Sequence, residues 1–165
     1  MVSFGHTAAG TITGVLVYQY LGSGNLATGL IGAGSVGLVT HYLGDLMPHG
    51  HFFKNSEFKN KILLALIFDV IIPVIFILVT AFYVHVPYSG ILYIIFGIGG
   101  AQLPDILASL VKLEFIKKNT ILSAEMKFHS SLHWHGKGEK SLMFSFGDIW
   151  QILLFTLAVL VLIKS

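Results

Sequence analysis

The chain has no cysteine and no arginine, and only 11% of its 165 residues are charged. Without cysteine there is neither a disulfide nor a thiolate, so any transition metal must be held by His, Asp or Glu. Without arginine the bidentate guanidinium fork is ruled out, and a phosphate would have to be gripped by metal ions and lysine. A soluble domain carries roughly 25% charged residues. The shortfall here, beside 55% hydrophobic residues, predicts an integral membrane protein whose surplus apolar surface faces lipid. The net charge of +2 comes from ten lysines scattered near the predicted membrane boundaries rather than in a stripe, which argues against a nucleic-acid partner. No basic region precedes the first apolar stretch, where His6 stands instead, so no cleavable signal is expected. One domain over 1–165 is expected, without linker or low-complexity tract.

What is present is apolar sequence in span-sized blocks. Residues 62–84 form the clearest spanning helix, close to the ~20 residues that a bilayer core requires, with Pro73 expected to kink it. A short turn at 85–90 follows, residues 91–111 return, and 147–163 make a third strong span. The N-terminal region is softer and rich in small residues. It reads as two helices, 5–21 and 26–46, joined at Gly22-Ser23-Gly24-Asn25, with Gly29, Gly32, Ala33, Gly34 and Gly37 allowing close helix approach. A single re-entrant or interfacial segment is the alternative for this region. The fold class expected is all-α, a polytopic membrane bundle of about five transmembrane helices. Lys54, Lys59 and Lys61 lie in one loop, and Lys112, Lys117, Lys118, Lys127, Lys137 and Lys140 in another on the same side. The positive-inside rule makes that side cytoplasmic, with the N-terminus in and the C-terminus out of a multi-pass cell-membrane protein.

This topology places seven of the eight histidines on the cytoplasmic side and leaves His85 alone on the other. Imidazoles and carboxylates at the mouth of a lipid-embedded bundle are costly and point to function. His41 and Asp45 are spaced i, i+4, so on a helix they share a face and can grip one ion. Pro48 then ends or bends that helix, and Gly50 lets His49 and His51 fold back. His129 and His133 repeat the i, i+4 spacing, followed by His135; Asp105 closes Gly-Gly-Ala-Gln-Leu-Pro-Asp at 99–105; His6 completes the set. The metal ligands expected are His6, His41, Asp45, His51, Asp105, His129 and His133. Each has a plainer reading alone: Asp105 as a helix cap, His135 as a companion of Trp134 in an interfacial belt, the lysines at 112–118 as headgroup-facing surface. Their convergence on one side favours the metal site.

The stretch from His41 through Gly44, Asp45 and Pro48 to His51 resembles the ligand segment of zinc-dependent phospholipases C and single-strand-specific nucleases, where His, then Asp four residues on, then His six residues further bind metal. Pro48 falls one residue early for that pattern, and His129-x-x-x-His133 would stand for the family's His-x-x-x-Glu. Over most of its length the chain is more similar to small bacterial inner-membrane metal-dependent hydrolases of the DNA-damage regulon. The features that carry this are His6 with Gly10, Leu103-Pro104-Asp105, and the segment His129 to His135 before a last span. The phospholipases' early Asp is absent, and the hydrolases' Asp-x-Asp-His after Leu-Pro is here Asp105-Ile106-Leu107-Ala108.

All-N/O ligation suits Zn²⁺, two or three ions, with Mn²⁺, Fe²⁺ or Ni²⁺ as alternatives. Water activated between such ions attacks phosphorus without help from arginine. Asp45 or Asp105 would bridge ions or orient that water, and His49 or His135 would protonate the leaving oxygen. The expected function is hydrolysis of a phosphoester in a lipid or lipid-linked substrate at the membrane boundary. Two other classes stay open. A divalent-metal transporter would want ligands along the bilayer path, where Asp69 is the deepest. A membrane di-iron oxidase would want His-x-x-His-His, which the chain lacks. Oligomeric state is not written in the sequence.

Overall fold

The computed structural model describes residues 3–46, 59–83, 86–132 and 146–164, and in them every regular element is a helix. In chain order these are α1 (Ser3–Leu21), α2 (Leu26–Asp45), α3 (Lys59–Tyr83), α4 (Tyr88–Lys112), α5 (Thr120–Leu132) and α6 (Phe146–Lys164). The all-α expectation holds, and the five long helices lie within a few residues of the predicted blocks. The N-terminal region is a helical hairpin, with the turn at 22–25 closed by Asn25, whose side chain caps α2 through the Thr28 N–H at 3.2 Å. The thirteen-residue α5 is an element that the hydropathy reading did not separate. By length and apolar composition, α2 and α4 are each able to cross a membrane.

Pro73 and Pro104 both sit inside continuous helices, α3 and α4. The end of α2 precedes Pro48: Leu46 is its C-cap, as the restriction on residues before proline favours. At the end of α4 the backbone turns sharply through Glu114, which has φ 65°. The Glu114 N–H donates to the Val111 carbonyl and the Phe115 N–H to the Leu110 carbonyl, at 3.1 and 3.0 Å. This is a Schellman stop with glutamate where glycine is usual, and it sends the chain into α5.

α1, α2 and α4 pack against one another, with α3 against α4 and α6 along α1. The three central helices meet at Gly97. A Cβ placed there would strike the Gly10 carbonyl oxygen, and one at Gly37 would strike the Gly97 carbonyl oxygen. Small residues therefore let the backbones touch, the mode of association that works where lipid supplies no hydrophobic drive between helices. The stripe Gly29, Ala33, Gly37, His41 and Asp45 is the buried face of α2. One turn from the three-glycine contact stand His6 on α1, His41 on α2 and Ala101 on α4, so the backbone contact fixes the height at which polar side chains face each other.

Candidate metal centre

His6, His41, Asp45 and His129 are buried, and Asp105 is partly so. They come from α1, α2, α4 and α5. The His129 Nε2 lies 2.9 Å from Asp45 Oδ2 and 3.2 Å from His41 Nε2. His41 Nε2 is 3.1 Å from the same Asp45 oxygen. His6 Nε2 sits 3.5 Å from Asp45 Oδ1 and 3.4 Å from Asp105 Oδ2, and His129 Nε2 is 3.5 Å from Asp105 Oδ1. Ligand atoms about 2.0–2.1 Å from a tetrahedral zinc are separated by roughly 3.3–3.4 Å. The observed spacings are those of ligand atoms around one ion.

The hydrogen bonds behind the cluster support that reading. His41 Nδ1 donates to the Ala101 carbonyl at 2.7 Å, which puts the proton on Nδ1 and turns the Nε2 lone pair inward. That lone pair faces an Asp45 oxygen at 3.1 Å: two acceptors confront each other, an arrangement made favourable by a cation between them. His6 is fully buried and stacked on the His41 ring at 4.1 Å between centroids; among the described residues its nitrogens make no well-formed hydrogen bond, the carboxylates of Asp105 and Asp45 standing at 3.4 and 3.5 Å from Nε2. A buried imidazole so weakly satisfied is costly, and coordination would satisfy it.

Two ligand trios can be drawn, His6–His41–Asp45 and His41–Asp105–His129. Both use His41, which has only Nε2 to offer. One imidazole nitrogen binds one ion, so the trios are faces of a single centre rather than two three-ligand sites. Of the predicted ligands, the structure brings together His6, His41, Asp45, Asp105 and His129. His51 and His133, and the proposed proton donors His49 and His135, lie outside the described residues, as does His85.

Sequence reasoning missed Glu125. It stands one turn before His129 on α5, with Oε1 at 3.7 Å from His129 Nδ1, and it accepts from the Tyr42 hydroxyl at 3.3 Å. The carboxylate that backs the histidine therefore precedes it, whereas the resemblance had directed attention forward to His133. The i, i+4 spacing of Glu125 and His129 was the available signal. Also unforeseen was the buried bond from the Gln102 amide to the Thr7 hydroxyl, 3.0 Å, which ties α4 to α1 beside Ala101 and His6. Burial works against a charge on His129, but the Asp45 hydrogen bond and the Asp105, Asp45 and Glu125 carboxylates outweigh it and raise its pKa.

The centre opens at one side: the side chains of Asp105 and Glu125 are 24% and 21% exposed, while those of His6, His41 and Asp45 are sealed. Comparison of the chain with known protein families, curated proteins and solved structures found no match.

Proposed function

We propose that the protein is a membrane-embedded metal-dependent hydrolase, its site at the cytoplasmic boundary and its preferred substrate a phosphoester of a lipid or lipid-linked molecule. The observation that carries this reading is the convergence of three Nε2 atoms and two carboxylates, from four helices, each within 2.9–3.5 Å of at least two of the others. The resemblance to the small bacterial inner-membrane hydrolases rests in part on His6 and Leu103-Pro104-Asp105, and of these residues His6 and Asp105 belong to the cluster. The membrane setting is supported by α2 and α4, and by the 19 to 25 residues of α1, α3 and α6, about 28–38 Å at 1.5 Å per residue, against a hydrocarbon core of ~30 Å. Five spans with α5 at the surface then put both loops on the lysine-rich side.

The donors are nitrogen and oxygen only, which suits zinc, with manganese, iron or nickel as alternatives. A divalent ion held here supplies a water acidified towards neutrality and a Lewis acid for a phosphoryl oxygen. The residues divide the remaining work. His6, His41, His129 and Asp45, buried on the inner side, would hold the ion. Asp105, at the open edge, accepts the proton of the attacking water and orients it. Gathering the ligand set at one end of the bundle suits hydrolysis better than conduction, which needs sites strung along the path.

Metal analysis of the purified protein tests this, with His41→Ala and Asp45→Ala beside the parent. The expected result is at least one equivalent of zinc in the parent, loss from both variants, and zinc-dependent release of phosphate or headgroup from phospholipid vesicles. A metal-free parent that stays metal-free when offered zinc would sink the reading. Metal without hydrolysis, but with zinc uptake into sealed proteoliposomes, would replace it by transport.

A further inference from the structure

α5 is bound to the bundle on a narrow front. His129 is its one buried residue. Around it stand the Tyr42–Glu125 hydrogen bond and the edge-on contact of Tyr42 with Phe128, 5.2 Å between ring centroids. Among the described residues α5 thus reaches the bundle chiefly through the candidate metal centre, without a buried apolar residue of its own.

Its outer side has a different character. Phe115, in the turn after α4, is 70% exposed, and Ile121 and Phe128 are 79% and 52% exposed. At 100° per residue, Ile121, Ala124 and Phe128 form one strip along α5, with Lys127 beside it. Lys112, Lys117, Lys118 and Lys127 are all exposed along the same stretch of chain, whereas Glu125 is turned inward to His129 and Tyr42. Bulky apolar side chains flanked by lysine on a short amphipathic helix are the features of a segment lying in the interface of an anionic bilayer. The position agrees: α5 packs on α2 and α4, near the end of each, where a span would emerge from lipid.

The geometry points to α5 as a membrane-seated element that completes the metal centre: anionic lipid headgroups hold the outer side of α5, and that docking presents His129 to Asp45, His41 and Asp105. This rests on the reading of the protein as a membrane-embedded metalloprotein and adds what controls its ligand set. Lipid and metal hold neighbouring sides of one short helix, roughly 90° apart at 100° per residue, so each lowers the cost of ordering it for the other, and the coupling is reciprocal. Full metal affinity then belongs to the protein in an anionic bilayer.

The test is zinc affinity, by competition with a chelator, for the full chain in vesicles of phosphatidylcholine and in vesicles of phosphatidylcholine with phosphatidylglycerol. The parent is compared with the triple variant Lys117→Gln/Lys118→Gln/Lys127→Gln and with the same positions changed to Arg. Subtracting the Gln variant cancels the attraction of anionic lipid for zinc itself. A lysine at such a surface is worth about fivefold in binding, so the three together set a ceiling of roughly a hundredfold; the parent should gain at least about tenfold more affinity from phosphatidylglycerol than the Gln variant, and the Arg variant should keep the gain. Hydrogen exchange over 120–132 should slow with phosphatidylglycerol in the parent and not in the Gln variant. An equal gain in parent and Gln variant overturns the proposal while leaving the metal centre intact. Failure to bind zinc in either lipid overturns both readings.

Discussion

His41 is locked to α4 by the 2.7 Å bond from its Nδ1 to the Ala101 carbonyl. A backbone oxygen, which no side-chain substitution removes, thus selects the tautomer that points Nε2 at Asp45 and His129. Nitrogen NMR of protein labelled at histidine should find the His41 proton on Nδ1 both with and without metal. A proton on Nε2 in the loaded protein would remove His41 from the ligand set.

Glu125 is expected to tune the centre from behind. Outer partners of ligating histidines typically contribute 10–100-fold to metal affinity. Glu125→Ala should weaken zinc binding at the lower end of that range, since its contact with His129 is a long 3.7 Å. Tyr42→Phe, which removes a hydroxyl from Glu125 and leaves the carboxylate, should change affinity by only about two- to fivefold. Equal losses in the two variants would mean that the Tyr42 hydroxyl, not the carboxylate, sets the position of His129.

Acidity should separate the metal-free and metal-loaded forms. The pKa of His129 is raised in the folded protein, above the ordinary imidazole value of about 6.5. A raised histidine pKa contributes stability that is complete below the unfolded value and lost as pH climbs through the folded one. The metal-free protein should therefore lose thermal stability as pH rises past ~6.5, while zinc, taking the place of that proton, holds the loaded form. Thermal unfolding across this range, with and without zinc, should show the gap between the two forms widening with pH. A gap that narrows with rising pH would contradict the placement of His129 among these carboxylates.

The three-glycine contact predicts an all-or-none response. Gly37→Val drives a branched side chain into the Gly97 carbonyl; overpacking ordinarily costs about 1–3 kcal/mol, and a backbone obstacle cannot yield as a side chain does. Zinc binding should be lost together with thermal stability. Gly99→Ala is the control, because a Cβ there meets nothing within 4 Å. It should keep zinc and stabilise α4 by roughly 0.5–1 kcal/mol. A zinc-binding Gly37→Val protein would show that the helices can separate without disturbing the site.

The sequence by itself determined the long helices, because each is a run with few charged residues and a break at each end. It also marked His41 with Asp45, whose shared face is a property of helical periodicity and needs no tertiary information. It did not isolate α5, since a thirteen-residue helix with lysine and apolar residues on one side has no span-like hydropathy and its buried face holds a single buried side chain. Nor could it find Glu125 or the Ala101 carbonyl. Glu125 carries no signal apart from its distance to His129, and a carbonyl is the same in every residue. What only the tertiary structure decided is the geometry of the candidate site: that His6, Asp105 and His129, expected there from the sequence, meet the His41–Asp45 pair at bonding distance, and that His41 is shared by both possible trios, which therefore describe one candidate centre. The physical reason is the contact at Gly97. There three backbones touch, and one helical turn beyond it their polar side chains are brought to the same level.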